Sequence, residues 1–195
     1  EWAVDGGHTV RTSTVIVDSG YKPQVVHAVV SQSPFRSLIV PSKGVGITAL
    51  QAPMENWAKR GAETRSKFWI KAKTRDYADP IVSFDSNYWK TFVSSRLNTA
   101  IGDRGSLCFF GATPEPHKMI CDHICAETRI IDEARGRRVE VWQPKMNEDN
   151  HWFDCVVGCH VGASMGGIEI KEHQEQKKQA SGKSWSEISQ SKRRA

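Results

Sequence analysis

No stretch of this chain approaches the roughly 18–20 consecutive apolar residues that cross a bilayer, and residues 1–20 lack the basic-then-apolar pattern of an export signal. Cysteine is sparse and odd in number, five in 195 residues, which argues against a secreted scaffold held by disulfides. Internal repeats are missing. So is a phosphate-binding loop: Lys43-Gly44-x-Gly46 does not fit that pattern, so nucleotide hydrolysis within this chain is not expected. The initiator Met is absent too, the chain opening at Glu1, and a fragment of a longer protein is the expectation. What is present suits one domain: 195 residues with 38% hydrophobic content can bury a core of ordinary size, hardly two. Lys and Arg outnumber Asp and Glu, 27 to 22, and the net charge of +5 points to an acidic partner, nucleic acid foremost.

Thr12 to Asp18 is a β-branched run cut off by Ser19-Gly20, the pattern of a buried strand carrying an acid at its C-terminal end. Pro23 then opens a helix with Pro in its first turn, and Phe35 to Pro41 is a second short strand. Strand, helix and strand in so short a span predict a βαβ unit and a parallel pair. Val45 to Ser66 reads as a long loop, and Phe68–Lys71 and Pro80–Phe84 read as strands. Asp85 caps a helix carrying Trp89, Phe92, Val93, Arg96 and Leu97. Further expectations are a strand over Gly105–Phe110, a helix over Glu115–Ile131 and a strand over Arg137–Trp142. Asp149 or Asn150 then caps a last helix that reaches Met165. The domain accordingly spans 1–168, and 169–195 is a polar, basic tail expected to be disordered or a loosely held helix.

Two carboxylates stand out. Asp18 falls at the end of a strand, where open α/β sheets place ligands, although Asp-Ser-Gly is also ordinary turn chemistry. Asp154 lies one turn into the last helix, with Gly158, Gly162 and Gly166 following at four-residue spacing. Glycine costs a helix about 1 kcal/mol per position, so three in register need a reason, and close approach to a sheet supplies one. A carboxylate carried into such a contact needs donors or a cation, and a divalent metal fits; stabilisation of the positive helix N-terminus by Asp154 alone is the other reading. Cys121-x-x-x-Cys125 with His117 and His123, and Cys155-x-x-x-Cys159-His160, have poor spacing for zinc. Helical cysteines four apart are expected to be small buried side chains. Glu169-Ile170-Lys171 matches the E-x-K half of a metal-nuclease motif, but three-residue matches are common by chance and this one opens the polar tail rather than a strand. Lys43, just past a strand end, and the Lys71, Lys73 and Arg75 cluster could each reach a phosphate or simply be solvated.

Several blocks together resemble the nuclease domain of the large terminase subunit of tailed phages, of the lambda type. They are V-I-V-D-S-G-Y with the helix from Pro23, L-I-V-P-S-K-G, F-D-S-N-Y-W-K-T-F-V-S-S-R-L and N-H-W-F-D-C-V-V-G-C, in order from about Gly6 to Met165. The resemblance implies an α/β, ribonuclease H-like fold, a mixed central sheet flanked by helices, and an acidic cluster binding two divalent ions, Mg²⁺ or Mn²⁺. It places Asp18 and Asp154 in that cluster, leaves Asp85 as a capping residue, and puts His151 where family members often carry Glu. Double-stranded DNA, other terminase subunits and the portal are the implied partners, with no membrane, in the cytoplasm of an infected bacterium. One departure stands beside it. The family's first catalytic acid belongs to an opening strand, nothing in residues 1–17 matches it, and Asp5 is followed by Gly-Gly. The sheet is therefore expected to lack its first strand. Two readings follow: a metal-dependent endonuclease domain using Asp18 and Asp154, with Lys43, Lys71 and Arg75 on the DNA backbone, or a non-catalytic DNA-binding or assembly fragment awaiting a separate N-terminal segment.

Overall fold

The computed structural model describes residues 2–4, 7–57, 62–111 and 113–168. The tail beyond 168, with Glu169-Ile170-Lys171, and Asp5 lie outside those residues. The chain begins with an antiparallel pair, β1 (Trp2–Val4) and β2 (His8–Val10). The expected β-branched strand follows as β3 (Val15–Asp18). Helix α1 (Pro23–Gln32) starts with Pro in its first turn, and Lys22 before it takes the left-handed conformation at φ 48°. β4 (Ile39–Val45) begins and ends later than the expected strand over Phe35–Pro41. The Phe35 carbonyl accepts from the Leu38 N–H instead, making a turn. Pro41 does not stop the strand, because the ladder to the next strand starts at Ser42 and needs no N–H from Pro41.

After a loop with a short 3₁₀ turn come β5 (Ala62–Arg65), β6 (Trp69–Ala72) and β7 (Ile81–Asp85). Five strands form one mixed sheet in the order β3-β4-β7-β6-β5. β3, β4 and β7 run parallel, and β6 and β5 are antiparallel to their neighbours. The parallel β3–β4 pair around α1 is the predicted βαβ unit. Helix α2 (Ser86–Leu97) leaves β7 directly, capped by Asp85 as expected: Oδ1 accepts from the N–H groups of Asn87 at 3.1 Å and Tyr88 at 3.2 Å.

Two expectations fail in the next stretch. Gly105–Phe110 is not a strand: the Leu107 N–H bonds back to the Arg96 carbonyl at 3.0 Å, at the end of α2 rather than on a sheet. The helix over Glu115–Ile131 is cut short. A 3₁₀ turn leads into α3 (Lys118–Cys125), and the chain then forms an antiparallel hairpin of β8 (Glu127–Ala134) and β9 (Arg137–Pro144). Arg135 at φ 52° and Gly136 at φ 73° make the tight turn between them, the two positive φ values that a twisted hairpin favours. The hairpin is tied to α2, since the Trp142 N–H donates to Asn87 Oδ1 at 3.0 Å and its indole N–H donates to Thr91 Oγ1 at 2.9 Å.

Helix α4 (His151–Met165) closes the fold. The main core lies between one face of the sheet and helices α2 and α4. It joins Trp69, Val82 and Phe84 to Trp89 and Val93 and to Phe153, Val157 and Val161. Each such side chain contributes about 1.5–3 kcal/mol through burial. α1 packs against β4. A smaller cluster of Ile47, Met54 and Ile70 seals the loop after β4.

Candidate active site

Asp18 ends β3 and is exposed. Its Oδ1 accepts the Gly20 N–H at 3.0 Å, so the residue does form the turn that Asp-Ser-Gly suggests. Beneath it, Ser19 is buried and held across to β4, its hydroxyl and N–H both donating to the Ser42 carbonyl at 2.8 Å. The strand end is thus fixed, while Asp18 Oδ2 has no protein partner among the described residues. In register, Asp18 pairs with Ser42 and Ile16 with Val40, so Asp18 and Ile16 share a sheet face.

That face meets α4 through glycine. A Cβ added at Gly158 would lie 3.7 Å from Ile16 Cγ2, and one at Gly162 would lie 3.4 Å from Ile16 Cγ1. Two of the three spaced glycines therefore let the helix backbone settle on β3, as the spacing predicts. Gly166 does not: it is the C-cap, and a Cβ there would meet the helix's own carbonyls. The close approach brings Asp154, one turn earlier, toward the end of β3. Cys155 registers the convergence. Partial desolvation pushes its thiol pKa up, and the charges of Cys159, Asp154 and Asp18 push it the same way. Both carboxylates thus act on one thiol.

Asp154 is not alone. Its Oδ1 pairs with the Lys90 ammonium of α2 at 2.9 Å, and the same ammonium meets Glu127 Oε1, at the start of β8, at 2.5 Å. The Glu127 side chain is 1% exposed and that of Lys90 11%, whereas that of Asp154 is 52% exposed. Asn150 Nδ2 also donates to Glu127 Oε1. Sequence reasoning did not single out Lys90 or Glu127. Each is one charged residue among others in its element, and no spacing rule connects positions 37 apart.

The other candidates are spread out. Lys71 continues the cross-strand row of Asp18, Ser42 and Val82, so it sits three strands from Asp18, about 14 Å at ordinary strand spacing. Lys43, exposed, pairs with Ser83 and so belongs to the opposite face of the sheet from Asp18. Arg75 is exposed in the connection between β6 and β7. His151 faces solvent beside Asp149 at 3.7 Å. All five cysteines are exposed, which corrects the expectation that the helical pairs are small buried side chains. Three or more His, Cys, Asp or Glu side chains do not gather into a metal-holding group among the described residues.

A family model described as the terminase large subunit gpA, endonuclease domain, matches residues 1–177. The chain belongs to this family. The match takes in both carboxylates, the Lys90–Glu127 pair and all the basic candidates, and it supports a nuclease role in viral DNA packaging. No curated protein and no solved structure matches the chain. Family members typically use divalent metals, and DNA and terminase or portal interactions go with the family in general. The residues present suit a hard divalent cation: Asp18 and Asp154 each keep one carboxylate oxygen without a protein partner among the described residues. Water and phosphate oxygens would complete the shell, as Mg²⁺ ordinarily requires. No helix among the described residues is long and apolar enough to cross a membrane.

Proposed function

We propose that this chain is a divalent-metal-dependent DNA endonuclease domain of a viral packaging terminase, ribonuclease H-like in architecture, acting in the cytoplasm of an infected bacterium with double-stranded DNA, other terminase subunits and the portal as partners. The observation that carries the reading is the seat of α4 on Ile16, which brings Asp154 and Asp18 to bear on the same thiol. A bound pair of Mg²⁺ or Mn²⁺ ions would supply an activated water and charge stabilisation at the leaving 3′ oxygen. Asp18 holds its carboxylate rigidly at the strand end through the Gly20 N–H and offers Oδ2. Asp154 offers an oxygen from the helix side while Lys90 holds the other. Lys43, Lys71 and Arg75 would neutralise backbone phosphates without reading sequence.

One observation favours a second reading. β3 is the edge of the five-stranded sheet, and Asp18 lies at its end with no neighbouring strand on the outer side among the described residues. A strand from a separate segment could pair there and contribute a further carboxylate, which makes the chain a split enzyme or an assembly fragment. Plasmid nicking with Mg²⁺ or Mn²⁺ tests both. Asp18→Asn and Asp154→Asn are expected to reduce nicking by at least about 10²-fold with unchanged circular dichroism. Nicking only after an upstream segment is added supports the second reading. Undiminished cleavage by both variants contradicts either.

A further inference from the structure

Two residues at the ends of the first turn of α4, Asn150 and Asp154, meet at one buried atom, Glu127 Oε1. Asn150 occupies the N-cap position yet makes no side-chain cap bond; its amide turns away to Glu127 Oε1 instead. The Trp152 N–H, which an N-cap side chain would ordinarily take, donates to His123 Nδ1 of α3 at 3.3 Å. Asp154, one turn on, reaches the same Glu127 oxygen through Lys90. Glu127 is thus fastened to both ends of that turn, directly through Asn150 and indirectly through the ammonium. The Phe153 ring, 5.5 Å from Lys90 Nζ, closes the cage. The other Glu127 oxygen, Oε2, is buried and has no hydrogen-bond partner. A buried carboxylate with an idle oxygen is costly, and a stability role alone would be met as well by an apolar pair.

We infer that Glu127 and Lys90 are positioning residues that fix Asp154 and set how strongly it draws a divalent cation; this rests on the reading of Asp154 as a metal ligand. Lys90 divides its charge between two carboxylates, so one ammonium and two carboxylates leave a single net negative charge at the site. Without Glu127's charge the ammonium would be Asp154's alone and would compete with the cation for it. With both charges removed, Asp154 would face the cation unshared. Neighbours of metal ligands commonly change affinity by about 10–100-fold, and here the two changes run in opposite directions.

Calorimetric titration of the full chain with Mn²⁺ tests this without relying on cleavage. The proteins are wild type, Asp154→Asn, Glu127→Gln and the double variant Lys90→Met/Glu127→Gln, each checked by circular dichroism. Lys90→Met alone is avoided because it strands a buried carboxylate. The expected result is that Asp154→Asn abolishes binding and Glu127→Gln weakens it about tenfold or more. The double variant returns to wild-type affinity or tighter. A merely structural role would leave the double variant as weak as Glu127→Gln, or weaker. That result, or affinities unchanged in both, overturns this inference while the metal reading stands. Wild type that takes up no Mn²⁺, or Asp154→Asn that binds as wild type does, overturns the metal reading and this inference with it.

Discussion

Asp85 shows how a single carboxylate can be separated from the site chemistry. It ends β7 and caps α2, and burial raises its pKa above the ordinary aspartate value despite the N–H groups of Tyr88 and Asn87 and the charge of Arg137. A folded-state value above the unfolded one means the folded protein holds that proton more tightly. Its stabilising contribution is therefore complete below the unfolded value and is lost as pH rises through the folded value. Asp85→Asn keeps the acceptor and drops the charge, so it is expected to melt at or above wild type at pH 7, with the advantage shrinking below pH ~4. Asp85→Ala should lose about 1 kcal/mol with the cap. An Asn variant less stable than wild type at pH 7 would contradict this account. The cap was legible because Asp-Ser-Asn before a helical pattern has a local mechanism. Lys90 and Glu127 were not legible, because their pairing exists only once α2 and β8 are folded together.

Among the elements, those with local punctuation were readable. β3 ends at Ser19-Gly20, α1 opens with Pro23, and α4 carries glycines at fixed spacing. The boundary between α3 and β8 has no Gly or Pro: Cys125, Ala126 and Glu127 run on without a stop signal, and only pairing with β9 makes Glu127–Ala134 a strand. The segment over Gly105–Phe110 has the composition of a strand but finds no ladder partner. The contact between α4 and β3 can be tested directly. Gly158→Ala adds a methyl at ordinary contact distance from Ile16 and removes a helix penalty of about 1 kcal/mol, so thermal denaturation should show equal or greater stability. Gly162→Val places branched bulk where even a Cβ stands 3.4 Å from Ile16, with an expected loss of about 1–3 kcal/mol and a marked loss of nicking as Asp154 is lifted from Asp18. Full nicking by a folded Gly162→Val protein would mean that the seat of α4 does not position the site.

At the scale of the molecule, the net charge of +5 suits an acidic partner, and DNA interactions go with this packaging nuclease family in general. The mixed sheet flanked by helices was expected, whereas the hairpin of β8 and β9 was not. That hairpin matters because it delivers Glu127 beneath the helix that carries Asp154. The whole fold thus converges on one place: a parallel strand end, a helix seated on it by glycine, and a buried ion pair behind the helix. The most direct test is a crystal soaked in Mn²⁺ and measured for anomalous scattering. The account predicts manganese bonded to the carboxylates of both Asp18 and Asp154. Manganese bound elsewhere, with both carboxylates unoccupied at saturating concentration, would contradict it.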